Sequence, residues 1–258
     1  MLRSPMPIDP PQAATRPRAI FFDMDDTLLD TSGGVMESWE NACRDAAPAL
    51  GIEWEVLRTA ILRDMANFWR DEAAVEPWRT RLADAREHVI GMSLAAEGLD
   101  CAYARRISDV CGKAREERLV LFEDALETLD WLRRGGYHLG LITNGPAGMQ
   151  RAKVDRFDLA SLFDVVVIEG EFGFGKPSPR VFEHALQVTG TAPQDAWHIG
   201  DNLYADIGGA QAAGLQATWI HRGRLEMKDG QPVPDRVIEH LDELRHTLQP
   251  DSTPRGRG

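Results

Sequence analysis

The sequence predicts an α/β fold, a parallel sheet with helices on both faces, interrupted once by an inserted helical domain. Three observations carry this expectation. From about residue 119 onward, short apolar runs alternate with segments of helical period, the order that builds a parallel sheet. One further strand pattern stands apart from that series, at residues 18–22 (RAIFF). Between the two, from residue 34 to about 119, the pattern is helical and shows no convincing strand.

Taken in order, the chain opens with four prolines before Arg16 and no apolar segment of signal-peptide type. Residues 1–17 are therefore expected to be a disordered leader. Residues 18–22 form a short buried strand that ends at Asp23. In the helical block Val35, Trp39, Cys43, Ala46 and Leu50 keep helical spacing, as do Leu57, Ile61, Met65 and Phe68. Leu82, Ala85 and Val89 continue it, followed by Ala104, Ile107, Cys111 and Ala114. About four helices are expected there, with breaks near Gly51, Pro77 and Gly98. Beyond the block, helix ALETLDWLRR stops at Gly135 and Gly136, and strand YHLGLITN follows. A helix near MQRAKVDRF leads to strand DVVVIEG, PRVFEHALQV to AWHIG, and ADIGGAQAAG to ATWIH. The core is thus discontinuous, residues 18–33 and 118–248, with the insert at 34–117 and a frayed tail at 249–258.

Composition narrows the function. Of 258 residues, 43% are hydrophobic and 27% charged, which is ordinary for a soluble globular protein. A net charge of −12 argues against nucleic acid and against an anionic membrane surface as partners. It leaves room for a small anionic ligand, because a local group of Lys and Arg can overrule the global sign. Cys43, Cys101 and Cys111 show no CxxC spacing, so neither a disulfide framework nor a zinc site is expected. A reducing, cytoplasmic setting fits them best. The apolar runs are too short to span a bilayer.

In open α/β sheets, ligands bind outside the carboxyl ends of the strands. The residues just past the expected strands are 23–27, 143–144, 170–176 and 201–206, all polar or glycine-rich stretches. Within FFDMDDTLLD, Asp23, Asp25 and Asp26 crowd into four positions, where like charges repel. A turn with an Asp helix cap would also favour such residues. That reading weakens because Asp201 and Asp206 follow another strand of the same sheet. Aspartates converging on one point suit a hard cation with oxygen ligands, and Mg²⁺ is the usual candidate.

These residues resemble the haloacid dehalogenase-like superfamily. Asp23-Met24-Asp25-Asp26-Thr27 resembles its first motif, DxDxT, and Thr143 after HLGLI resembles its second. Lys176 in GKPSPRVF resembles the third, and Asp201 with Asp206 in GDNLYAD the fourth. The resemblance covers roughly residues 18–248. The stretches ITNG, 150–153 and GEFGFGKPSP look most like the branch containing N-acylneuraminate-9-phosphatase and related nucleotidases. It implies a Rossmann-like parallel core with an inserted helical-bundle cap. It also implies that Asp23 is the nucleophile and Asp25 the general acid and base. Thr143 and the backbone N–H of Asn144 would hold the phosphoryl oxygens, with Lys176 adding positive charge. Mg²⁺ would be bound by Asp23, the backbone carbonyl of Asp25 and Asp201. Asp206 would orient Lys176 or a metal-bound water, and Thr27 would brace the loop. Asp26 has no required role in this scheme.

The implied function is a Mg²⁺-dependent phosphomonoester hydrolase acting through an aspartyl-phosphate on a small phosphorylated metabolite, a sugar phosphate or a nucleotide. A 2-haloacid dehalogenase of the same superfamily needs no second acid, so Asp25 argues against it. A phosphomutase would keep both acids and is not separated by the core motifs. A non-catalytic phosphometabolite sensor would be signalled by loss of Asp23, Lys176 or Asp201, and all three are present.

Other patterns carry less. GEFGFGK fits the first seven positions of a P-loop, but Pro177 stands where a hydroxyl is needed and pushes Lys176 from helical geometry. The pairs Glu87–His88, Glu183–His184 and Glu239–His240 lack HExxH spacing and are read as solvated helix faces. His198 is read as a core histidine. Trp69, Trp78, Arg79 and Arg81 are candidates for substrate contact, though bundle packing and surface charge explain them as well. The same holds for Gln150, Arg151 and Lys153, placed on a helix close to Thr143. Lys176 is expected to be the only lysine near the site.

Overall fold

Strand β1 (Ala19–Phe22) consists of four residues with no exposed surface, so both of its faces must be covered. The computed structural model describes residues 16–70, 75–78, 81–223 and 227–248. After β1 come the short strand β2 (Leu29–Asp30) and, among the described residues, the helices α1 (Val35–Leu50), α2 (Trp54–Arg70), α3 (Leu82–Ala96) and α4 (Ala104–Glu117). Strand β3 (Val120–Leu121) and helix α5 (Ala125–Arg134) lead to β4 (His138–Thr143), α6 (Ala147–Arg156) and β5 (Val165–Ile168). One helical turn, α7 (Glu169–Phe172), precedes α8 (Pro179–Thr189) and β6 (Ala196–Gly200). A wide π-type turn (Leu203–Gly208) runs into α9 (Gly209–Ala212), followed by β7 (Gln216–Ile220), β8 (Arg236–Ile238) and α10 (Glu243–Leu248).

Six strands form one sheet in the order β5-β4-β1-β6-β7-β8, and every pairing in it is parallel. The chain builds outward from β1 through β4 and β5, then returns to the other side of β1 with β6. This reversal places a crevice at the carboxyl end of β1, where ligands bind in such sheets. Phe22 lies opposite both Leu141 and Ile199, so Asp23 leaves the sheet level with the last residues of β4 and β6.

Strand alternation divides the core between the two faces. Ile20, Phe22, Leu139, Leu141, Trp197 and Ile199 pack against α5, α6 and α10. Phe21, Ile142, Val167, Ala217 and Trp219 pack against α8 and the 203–212 segment. Phe21 and Phe22 are fully buried, and truncating either to Ala would cost about 3–5 kcal/mol. Gly140 makes room for this packing, since a Cβ there would fall 2.6 Å from the Phe21 ring.

The helices α1 to α4 bury a core of their own. Trp39, Cys43 and Ala46 meet Leu57, Ile61, Val89, Ile90, Ile107 and Cys111. Gly51, in left-handed conformation at φ 68°, closes α1 where a break was expected. Cys43 and Cys111 are buried and Cys101 is exposed, all as free thiols. Strands β2 and β3 were not expected from the sequence. They pair antiparallel, Leu29 with Leu121 and Asp30 with Val120, and join the two connections of the bundle into one ribbon. Strand β8 was also unforeseen. Glu239 and His240 follow it in a turn, rather than on a helix face as expected. Among the described residues, no helix is long and apolar enough to cross a membrane. The expected leader and tail lie almost wholly outside those residues.

Candidate active site

The site grows from the end of β1. Asp23 N–H donates to Ile199 O at 2.9 Å, which carries the ladder one residue past the strand and fixes where the Asp23 side chain leaves. The chain then turns sharply. Asp26 adopts a left-handed conformation, φ 54°, which Asp tolerates better than most residues. Leu28 and Leu29 N–H both donate to Met24 O at 2.9 Å. Thr31 Oγ1 donates to Asp26 Oδ2 at 2.7 Å. Asp26, which the sequence left without a task, thus shapes the loop that presents its two neighbours. Thr27 is fully buried, and its carbonyl accepts from Arg222 Nη2 at 2.6 Å.

Lys176 arrives on the loop between α7 and α8. Asn144, just past β4, clamps that loop by two bonds. Its amide donates to Lys176 O at 2.7 Å and accepts from Lys176 N–H at 2.7 Å. The ammonium, only 2% exposed, lies 2.5 Å from Asp23 Oδ1 and 2.6 Å from Asp206 Oδ1. Asp206 Oδ1 also accepts from His198 Nε2 at 2.9 Å, and its Oδ2 from Asn202 N–H at 3.0 Å. His198 is a core histidine as expected, yet it also orients a carboxylate of the candidate site. This close approach requires Gly200, where a Cβ would fall 2.2 Å from Asp206 Cγ. Trp219 Nε1 anchors Asp201 through its carbonyl at 2.8 Å.

Burial sets the charge states. It pushes the Asp23 carboxyl up to about 7 against the pull of Lys176. It pushes Asp201 up to about 9, with repulsion from Asp23 and Asp206 added. Burial acts on Asp206 in the same sense, but Lys176 and His198 outweigh it and bring that carboxyl down to about 2. For Lys176 burial favours the neutral amine, and the two aspartates overcome it and hold the group above its usual range. Burial lowers His198.

Carboxylate oxygens of Asp23, Asp201 and Asp206 lie within 4.8 Å of one another. Both Asp206 oxygens are engaged by Lys176, His198 and Asn202, so the share facing a cation falls to Asp23 and Asp201. Among the described residues, no lysine or arginine forms an ion pair with Asp201. An all-oxygen donor set with this uncompensated repulsion fits Mg²⁺.

Asp25 faces another way. Lys153 Nζ lies 2.8 Å from each of its carboxylate oxygens. Gln150 Nε2 donates to Asp25 Oδ2 at 2.9 Å and to Thr143 Oγ1 at 2.7 Å. The expectation that Lys176 is the only lysine near the site is therefore wrong. Gln150 and Lys153 sit one turn apart on α6, which begins four residues after Thr143. Their i, i+3 spacing was the signal available in the sequence. Arg151, between them, points outward and pairs with Glu171 at 2.5 Å.

A cavity of about 440 Å³ opens over this edge, with Asp25, Met149 and Lys153 below and residues of α3 and α4 above. Of the bundle candidates, Trp78 stacks on His88 at 5.1 Å and Arg81 lies over the Trp78 ring at 5.1 Å. Trp69 is half-exposed against Phe68. Arg79 lies outside the described residues.

A parallel sheet of this strand order, with acids and a buried lysine gathered at its carboxyl edge, is the framework of a Rossmann-like α/β enzyme. The chain matches the model of the haloacid dehalogenase-like hydrolases over residues 17–214, and it belongs to that family. It is 38% identical over 159 residues to a phosphoserine phosphatase of Thermus thermophilus. That match spans 62% of this chain and 63% of the relative, less than two thirds of the latter's length. It is 30% identical to human N-acylneuraminate-9-phosphatase, over 91% of this chain and 95% of the relative. A crystal structure titled as a 2-haloacid dehalogenase from Pseudomonas syringae superposes with a TM-score of 0.59 at 31% identity, covering 90% of this chain and 97% of that one.

Proposed function

We propose that the protein is a Mg²⁺-dependent phosphomonoester hydrolase acting on a small phosphorylated metabolite such as a sugar phosphate or a nucleotide. The observation that carries this reading is the divided support of two acids that stand two positions apart. Asp23 is held by Lys176 beside the acidic cluster, and Asp25 is held by Lys153 and Gln150 beside Thr143. One carboxylate can therefore serve as nucleophile and the other as proton carrier. A dehalogenase, the activity named for the Pseudomonas structure, needs no such second acid. The two curated relatives are both named as phosphatases of small molecules.

In the first step an Asp23 oxygen attacks phosphorus in line. The ester P–O bond breaks, and the departing oxygen takes the proton carried by Asp25. In the second, a water oxygen bonds to phosphorus while Asp25 accepts its proton. The acyl-phosphate bond breaks, which frees phosphate and regenerates Asp23. Thr143 Oγ1 already accepts from Gln150, so its own hydrogen is directed elsewhere and can serve a phosphoryl oxygen. We assign the same task to the backbone N–H of Asn144, and Lys176 adds positive charge there. Mg²⁺ bound by Asp23 and Asp201, with the Asp25 carbonyl, would offset charge on the phosphoryl group. Residues 34–117 act in this reading as a cap over a core of 18–33 and 118–248. The cavity between them leaves little room for a phosphoprotein.

The test is phosphate release across a panel of phosphate esters in Mg²⁺ buffer, with EDTA as the control. Turnover of at least one small ester, lost with EDTA, is expected. No release from any ester would overturn the reading.

A further inference from the structure

Arg86 on α3 is partly buried, in an unusual setting. Its Nε donates to Ser108 Oγ at 2.9 Å, and Ser108 is itself only 2% exposed. Four residues along the same face of α4 stands Gly112, where a Cβ would fall 2.6 Å from Arg86 Nη2. Ser108 and Gly112 together form a slot for this guanidinium: one fixes the inner nitrogen, the other leaves space for the outer pair. Among the described residues, no carboxylate lies within ion-pair distance of Arg86. An arginine largely withdrawn from water ordinarily has an acid partner. Burial holds this one below the usual arginine range, and Arg115 nearby acts in the same direction.

Arg86 is one of the residues that line the cavity opening on Asp25 and Lys153. On the roof of that cavity Lys113 and Arg115 stand with Arg86, against Asp109 and Glu116. Local charge is therefore positive in a chain whose net charge is −12. Asp25 below is matched by Lys153. The excess positive charge of the roof faces the space that the non-phosphate end of a substrate would fill.

We infer that Arg86 recognises a second oxyanion on the substrate, a carboxylate or a further phosphate, remote from the ester that is hydrolysed. This rests on the phosphatase reading and adds the substrate class. Nη1 and Nη2 form a planar fork suited to two oxygens of one acid group. Arg86 is a specificity residue in this scheme, and it takes no part in bond making.

The experiment uses matched phosphate esters that differ only at the far end: carboxylate, second phosphate or neutral hydroxyl. Wild-type enzyme should favour one of the anionic esters over the neutral one by about 10–100-fold in kcat/KM, the range for hydrogen bonds to a charged group. Which anionic ester is favoured identifies the oxyanion. Arg86→Met should lower kcat/KM for that ester about 10–100-fold more than for the neutral one, and Arg86→Lys should restore part of the difference. Equal losses on all three esters would mean that Arg86 serves packing, and would overturn the inference. So would equal wild-type rates. Calorimetric binding of the matching phosphonates, which cannot be hydrolysed, separates this idea from the reading beneath it. If no ester turns over, yet an anionic phosphonate binds tenfold tighter than the neutral one and Arg86→Met abolishes the difference, the Arg86 contact stands and the hydrolase fails. Equal affinities of the phosphonates would sink the Arg86 contact whatever the turnover.

Discussion

Lys153 brings its ammonium to 2.8 Å from both carboxylate oxygens of Asp25, a residue 128 positions earlier in the chain. Together with Gln150 it fixes the aim of the acid. Lys153→Met would leave only the Gln150 bond. A fall of about tenfold or more in kcat is expected for an alkyl phosphate, part of the 10²–10⁴-fold a positioned acid supplies. p-Nitrophenyl phosphate, whose leaving group needs no proton, should lose less. Comparing the two kcat ratios checks this; equal losses would place Lys153 on the phosphoryl group instead.

The two acids should separate chemically. Asp23→Asn is expected to show no turnover and no phosphoenzyme. Asp25→Asn should still accept phosphate from p-nitrophenyl phosphate and then stall, because no base activates water. Rapid mixing should show a burst of nitrophenolate, up to one per enzyme, and acid-quenched protein should carry a labile acyl-phosphate. A folded Asp25→Asn protein with neither would refute the division of labour.

Lys176 is shared between Asp23 and Asp206, all three of them buried. Removing one partner of a buried ion pair typically costs about 3–5 kcal/mol. Lys176→Ala should therefore lose most activity and also unfold at lower temperature. Mg²⁺ should recover part of the stability and little of the activity. Near-normal kinetics would move phosphate recognition to other groups.

Metal and pH are linked through Asp23 and Asp201. Their carboxyls are raised in the fold from 3.8 to about 7 and about 9. At these two positions the folded state thus binds more protons than the unfolded chain between about pH 4 and about pH 9. In EDTA the contribution of these two groups to stability should fall as pH rises from about 4 to about 9. Mg²⁺ should flatten that slope, as read by thermal unfolding across pH. An unchanged slope would argue against a divalent cation there. For activity, Ca²⁺ should substitute poorly, because its longer bonds and looser coordination misplace the nucleophile.

Much of this architecture was legible in the sequence for a physical reason. Strands β1 and β4 to β7 are covered on both faces, so they read as continuous apolar runs, and the polar residues directly after them are those the sheet brings together. Asp23, Thr143, Lys176, Asp201 and Asp206 were singled out this way, and the fold places them at one edge of the sheet. Strands β2 and β3, two residues each, are too short to show a period. The role of Asp26 depends on its left-handed backbone, which its identity permits without announcing. The hold of Gln150 and Lys153 on Asp25 depends on α6 lying across the end of β1, a long-range contact that no local pattern encodes. Arg86 was passed over because its surroundings mark it out only once α3 and α4 are packed together.

The ribbon formed by β2 and β3 has a consequence for how such a protein can diversify. The chain enters the helical unit after Leu29 and leaves it at Leu121, its register partner in the ribbon, so the whole helical unit hangs from one pair of adjacent ends. Any module whose termini emerge side by side and antiparallel could be grafted at that junction without re-threading the sheet. Lineages are then free to trade the roof while inheriting the chemistry beneath it.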